Sequence, residues 1–85
     1  MKVFKHYSDP GHGWVAVKRE LIDSLGLADK ITYFSYCKGK TVYLEEDLDA
    51  PTVLDALTKR GFAWKTETIS HDRTSPIRSY PRFQV

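Results

Sequence analysis

Apolar and polar positions alternate most clearly in two runs, residues 31–37 and 41–46, which the tripeptide Lys38-Gly39-Lys40 separates. Alternation is typical of β-strands, because successive side chains point to opposite faces of a sheet. A short glycine-containing connection between two such runs is typical of a hairpin loop. The pattern therefore predicts a β-hairpin in the middle of the chain.

The length of the hairpin loop decides which residues share a face. A three-residue loop pairs Tyr36 with Val42 and Phe34 with Leu44, which gathers four apolar side chains on one face. A two-residue loop shifts the register by one residue and moves Val42 and Leu44 to the face of Cys37. The first register separates apolar from polar residues better, so the sequence favours the three-residue loop.

Two segments have helical spacing of apolar residues and a glycine directly after them. Residues 18–25 are followed by Gly26, and the helix that begins near Asp49 is followed by Gly61. Asp49 can accept hydrogen bonds from free amides of the first turn, and Pro51 lies where a missing amide costs nothing. Both glycines can take the left-handed conformation that ends helices. We expect two short helices.

Three further segments complete the order β-β-α-β-β-α-β. Residues 2–7 and 14–17 predict strands, and residues 62–69 predict a strand at the edge of the sheet. This order indicates an α+β domain with a mostly antiparallel sheet and two short helices on one face. We assign residues 1–69 to that domain and residues 70–85 to an extended C-terminal tail, because prolines there are incompatible with regular helix.

Composition limits the class of protein. The chain has 85 residues with 41% hydrophobic and 28% charged residues, which is typical of one globular domain. No apolar run approaches the roughly 20 residues of a membrane span. The first residues lack a signal-peptide pattern. The single cysteine, Cys37, fits a reducing compartment and is interpreted as a strand residue without a catalytic role. We expect a cytoplasmic protein that does not enter a membrane.

The positive charge is concentrated in the tail. Residues 1–69 hold ten Lys or Arg and ten Asp or Glu, whereas the tail has Arg73, Arg78 and Arg82 against Asp72. A formal net charge of +2 is too small to indicate a nucleic-acid partner by itself. The body also contains an acidic stretch at residues 45–49, interpreted as a strand end and a helix cap.

The loop after the first strand combines Asp9, His12, two glycines and Trp14. An aspartate can orient a histidine for proton transfer, and glycines allow a ligand to approach the backbone. The commoner explanation is a connecting turn whose Trp14 anchors the core. The spacing of His6, His12 and His71 does not resemble a set of metal ligands, and no phosphate-binding motif is present. No metal or cofactor is predicted.

The tail allows four arrangements, of which the simplest is a mobile terminus, as is common at chain ends. A polyproline-like conformation would place Ile77, Tyr80 and Phe83 along one edge, as suits docking on an apolar groove. An extended conformation would place Arg78, Tyr80 and Arg82 on one face, as suits contact with single-stranded nucleic acid. The large apolar residues also allow the tail to pack on its own domain.

The segments HYSDPGHGW, YLEEDLDAP and SPIRSYPRF together resemble small uncharacterised proteins encoded in bacterial genomes, prophages and other mobile elements. The similarity extends over nearly the whole chain. It implies a cytoplasmic accessory protein and assigns no residue a role.

The pattern favours a non-enzymatic interaction module that binds a protein partner or associates with itself. Aromatic residues fall on a sheet face that the core does not need, and exposed Tyr and Arg are frequent anchors of interfaces. The predicted partner-binding residues are Tyr33, Tyr43, Arg78, Tyr80, Arg82 and Phe83.

Two alternatives remain open at this level. The first is nucleic-acid binding, which would use positive side chains beside aromatic ones. Those side chains are Lys38, Lys40, Arg73, Arg78 and Arg82. The second is a small enzyme centred on Asp9 and His12, in which a dimer could supply the cleft.

Overall fold

The computed structural model describes residues 1–85. Its strands are β1 (Lys2–Ser8), β2 (Gly13–Lys18), β3 (Tyr36–Lys38), β4 (Thr41–Glu45) and β5 (Trp64–Ser70). Its helices are α1 (Arg19–Ser24) and α2 (Asp49–Lys59), and short 3₁₀ turns occur at Ala28–Lys30 and Pro76–Ser79. The observed order of strands and helices is the predicted one.

The strands form one sheet in the order β3-β4-β2-β1-β5. Three of the four neighbouring pairs are antiparallel, and β1 with β5 is parallel. The sheet is therefore mostly antiparallel, and β5 lies at an edge. With two helices packed on it, the chain is a small α+β domain, as predicted.

The hairpin between β3 and β4 has a two-residue loop, so the preferred three-residue loop is wrong. The register pairs Lys38 with Thr41, Cys37 with Val42 and Tyr36 with Tyr43. Gly39 occupies the first loop position with a φ of 60°. A glycine with positive φ at that position is the requirement of a type II′ turn. Phe34 belongs to no strand, because the chain turns away from the sheet before Tyr36.

Each helix ends as predicted. After α2 the amide of Phe62 donates to the carbonyl of Leu57 (3.0 Å) and the amide of Gly61 donates to that of Thr58 (3.0 Å). These two hydrogen bonds, together with the φ of 85° at Gly61, form a Schellman motif. Gly26 closes α1 with the same pair of bonds, so local chemistry alone accounts for both endings.

The beginning of α2 differs from the prediction. Leu48 is the cap residue and makes no side-chain capping bond, while Asp49 lies inside the first turn. The carboxylate of Asp49 is turned away from the helix amides and accepts hydrogen bonds from the Thr32–Ser35 segment instead. Asp49 therefore joins α2 to a distant loop.

The two faces of the sheet have different covers. We call the side packed against α1 and α2 the helix face; it carries the main core, which includes Val15, Val42 and Leu44. The other side, which we call the tail face, carries Trp14 and Tyr36, and Ile77 of the C-terminal segment packs on them. Both faces of the sheet are thus apolar. The predicted hairpin register was based on one apolar and one polar face, and for this reason it is wrong.

Candidate functional site

Asp9 is a structural residue rather than a partner of the His12 imidazole. Its buried carboxylate accepts bonds from the backbone amides of Gly11 and His12 (3.0 Å each) and of Ser75 (2.9 Å). The guanidinium of Arg78 adds two more, Nε to Oδ2 at 2.7 Å and Nη2 to Oδ1 at 2.8 Å. Five donors occupy both oxygens, so this carboxylate holds the tail against the loop.

The electrostatics agree with that role. The Arg78 guanidinium, the Ser75 amide and the loop amides hold the pKa of the Asp9 carboxyl far below its usual value, although burial opposes them. The carboxylate in turn raises the pKa of Arg78. All five donors to this carboxylate are backbone amides or nitrogens of Arg78, and none is a ring nitrogen of His12. The expectation that Asp9 orients a catalytic His12 is therefore not supported by the geometry.

The other two candidate residues of that loop, His12 and Trp14, lie in different environments. The indole of Trp14 is buried and packs with Tyr36 on the tail face, which matches the expectation of a core anchor. The ring of His12 lies 6.2 Å from that of Trp14, centroid to centroid, at the exposed rim. His12 has no carboxylate or hydroxyl partner for its ring nitrogens.

The tail packs on its own domain between Ser75 and Phe83. The amide of Cys37 donates to the carbonyl of Pro81, and the amide of Phe83 donates to that of Ser35, both at 2.8 Å. These bonds place the tail along the outer edge of β3, with Arg82 opposite Tyr36. Phe83 is only 3% exposed within the main core, so this predicted partner-binding residue is inaccessible.

Tyr80 and Tyr43 are also engaged within the fold. The rings of Tyr80 and Tyr43 lie 5.3 Å apart, centroid to centroid, and the ring of Tyr7 lies 6.0 Å from that of Tyr43. Burial, with smaller contributions from Tyr80 and Tyr7, raises the pKa of Tyr43. Tyr43 therefore shares a covered face with the tail and not an exposed face with Tyr33, as the wrong register had implied.

One pair of aromatic side chains is left over from both cores. Tyr33 is 64% exposed and Phe34 is 48% exposed, and their rings stack at 4.7 Å with an interplanar angle of 23°. They form the tip of a turn closed by the bond from the Ser35 amide to the Thr32 carbonyl (3.3 Å). We call residues 32–35 the aromatic turn. The sequence pattern predicts Phe34 in the core, and the structure corrects this, because Phe34 lies on the turn and is exposed.

Asp49 anchors the aromatic turn from below. Its carboxylate, 1% exposed, accepts from the Thr32 amide (3.1 Å), the Thr32 hydroxyl (2.7 Å) and the Ser35 hydroxyl. The Thr32 hydroxyl oxygen also accepts from the Phe34 amide at 3.2 Å. Short hydroxyl side chains commonly close turns in this way. The tip is therefore exposed while its base is fixed.

Arg82 completes the surface around the turn. Its guanidinium lies 4.4 Å from the ring centroid of Tyr36 and 6.0 Å from that of Tyr33. It also approaches the carbonyl of Tyr33, with Nη1 to oxygen at 3.4 Å. Of the six predicted partner-binding residues, the structure thus brings Tyr33 and Arg82 together, and Phe34 joins them.

A second group of polar side chains lies on the helix face of the sheet, where His6 is the neighbour of Val15. The imidazole of His6 bonds to Glu46 (Nε2 to Oε1, 2.9 Å) and to Thr68 (Nδ1 to Oγ1, 3.1 Å). The order carboxylate, imidazole, hydroxyl is that of nucleophilic triads. Thr68, however, is exposed on the edge strand, outside the neighbouring cleft of about 350 Å³. The hydrogen bonds of His6 to Glu46 and Thr68 therefore join three parts of the fold, namely the loop after β4, strand β1 and strand β5.

No three His, Cys, Asp or Glu side chains converge on a point where a metal ion could sit. Neither helix has the length and apolar character needed to cross a membrane. No protein-family model matches the chain, and searches of curated proteins and of solved structures find no significant similarity.

Proposed function

We propose that this domain is a non-enzymatic interaction module that binds a protein partner through the aromatic turn and Arg82. The single observation that carries the proposal is the stacked, exposed pair Tyr33 and Phe34 on a turn anchored by a buried carboxylate. Apart from Phe62, every other Phe, Tyr and Trp side chain of the protein packs in or against one of the two cores.

The energetics of binding support this choice. Exposed aromatic rings gain free energy when a partner removes them from water, at about 25 cal/mol per Å² of apolar surface. A loop that must be ordered on binding loses part of that gain to entropy. Here the Asp49 carboxylate already orders the base of the turn, so less entropy remains to be lost. Tyr and Arg are also enriched among the residues that dominate interface energies.

The surroundings of the turn favour a protein over a nucleic acid. The Ser35 hydroxyl accepts from the Glu45 amide, which places the start of the acidic residues 45–47 beside the turn. Negative charge there would repel a phosphate backbone. Two of the cations of the nucleic-acid alternative are engaged elsewhere, Arg78 on Asp9 and Lys38 over the ring of Tyr80. A partner with an apolar pocket and a few carbonyl groups for Arg82 fits better.

Two phenylalanines offer a matched test. Phe34 and Phe62 are 48% and 49% exposed, but only Phe34 belongs to the aromatic turn. We expect Phe34→Ala to abolish capture of a partner from the native host's lysate, and Phe62→Ala to leave capture intact. A photo-reactive group in place of Tyr33 should cross-link the same partner.

The stability of both variants is measured in parallel by thermal unfolding. Equal loss of capture in both variants would contradict the proposal, because exposure alone would then explain binding. Retention of random single-stranded DNA at low salt, lost with Phe34→Ala, would assign the turn to nucleic acid instead.

A further inference from the structure

The two edges of the sheet are unequal. The outer edge of β3 is closed by the tail through the Cys37 and Phe83 amide bonds. The outer edge of β5 is open, since the backbone bonds of β5 all go to β1. Four consecutive residues of β5, Lys65 to Thr68, are exposed. An open strand edge presents unpaired amide and carbonyl groups to any strand of matching chemistry.

The geometry of an antiparallel pair limits how β5 could meet a second copy of itself. Directly opposite residues either both point their amide and carbonyl groups at each other or both point them away. In β5 these groups point outward at every second residue, because the alternate residues bond to β1. Outward residues of the two copies must therefore face one another. The two-fold axis then lies midway between the two copies of one residue, so that this residue is directly opposite its own copy. Below, an axis at a residue means an axis in that position.

The charges of β5 distinguish the three registers centred on Lys65, Thr66 and Glu67. An axis at Glu67 sets Glu67 against its own copy, and an axis at Lys65 does the same for lysine; like charges opposite each other are unfavourable. An axis at Thr66 instead sets Lys65 opposite Glu67 of the second copy, and does so twice. It also pairs Thr66 with its own copy, a favourable cross-strand pair. Neither Lys65 nor Glu67 forms an ion pair within its own chain.

We propose that two copies of this chain associate through their β5 edges about an axis at Thr66, forming one continuous ten-stranded sheet. Lys65 and Glu67 both project on the tail face, because they lie beside Val3 and Lys5 of β1. A two-fold axis perpendicular to the sheet keeps that face common to both copies, so the charge pairs form side by side. The two aromatic turns then lie at the far ends of the assembly, where both stay free.

Charge exchange along β5 tests this pairing. In sedimentation equilibrium of the full chain at low ionic strength, wild type is expected to dimerise with rising concentration. Lys65→Glu and Glu67→Lys should each weaken dimerisation about tenfold, because each turns two attractive pairs into repulsive ones. The double variant with both exchanges should recover the wild-type constant. An equimolar mixture of the two single variants should form a heterodimer.

Lys59→Glu, on the exposed last turn of α2, is the control for a general effect of charge. Unchanged melting temperatures would show that all variants fold. Wild type that stays monomeric up to millimolar concentration would overturn the proposal, and so would a dimer that Lys65→Glu does not weaken or that the double exchange does not restore. Phe34→Ala should leave the dimer unchanged, so this result is independent of partner capture.

Discussion

Phe83 provides the sharpest test of how the tail contributes to the fold. Its side chain is 3% exposed in the main core, and the guanidinium of Arg19 lies 4.8 Å above its ring. Replacing a buried phenylalanine by alanine loses the transfer free energy and leaves a cavity, together about 3–5 kcal/mol. A domain of this length has about 4–13 kcal/mol of total stability. Phe83→Ala should therefore remove a large share of it.

The expected fall in melting temperature is more than about 12 °C, since each kcal/mol corresponds to at least about 4 °C in a domain of this size. Urea unfolding followed by circular dichroism measures the free energy directly. Phe34→Ala removes the same atoms from an exposed site and should cost less than about 1 kcal/mol. If Phe83→Ala were as stable as Phe34→Ala, the tail would not belong to the core, and Phe83 would again be a candidate for partner binding.

Two further substitutions test the buried carboxylates. Asp9→Asn should lower the melting temperature at neutral pH, because the ionised Asp9 carboxylate stabilises the folded state. Since the pKa of Asp9 is lower in the folded than in the unfolded chain, this contribution is fully present above the unfolded pKa of about 4 and is lost as the pH falls below it. The gap between wild type and Asp9→Asn should thus stay constant above pH ~5 and narrow below pH ~4; a constant gap down to pH ~2 would contradict the Arg78 contact as its cause. Asp49→Ala should cost about 1–3 kcal/mol for each donor left unpaired, and hydrogen exchange at Thr32 should quicken. Unchanged exchange there would show that Asp49 does not anchor the aromatic turn.

Features set by a few neighbouring residues could be predicted from the sequence. Gly26 and Gly61 end their helices because only the local backbone decides whether a left-handed residue is needed. The order of strands and helices follows from periodicity in the same way. The edge position of β5 was indicated by Lys65 and Glu67. Each of these inferences depends on contacts within about one turn or one strand.

Features that depend on distant partners could not be predicted. The sequence predicts the wrong hairpin register because nothing near Tyr36 indicates that Ile77 covers the tail face. It predicts a helix cap at Asp49 because the true partner, Thr32, is separated from it by 17 residues. It likewise groups Asp9 with the neighbouring His12, whereas the structure pairs Asp9 with Arg78. In each case a polar or aromatic residue had a local interpretation, and a remote segment supplied the contact.

The role of the tail changes what the aromatic residues of this chain mean. Two helices can cover only one face of a five-stranded sheet, so Trp14 and Tyr36 would be exposed if the tail were absent. Because Ile77 and Tyr80 cover that face, aromatic content there is explained by folding and carries no information about binding. Tyr33 and Phe34 differ from these residues, because neither core covers them and a turn tip needs no aromatic ring. Their exposure on an anchored turn is therefore the observation on which the proposed binding role rests.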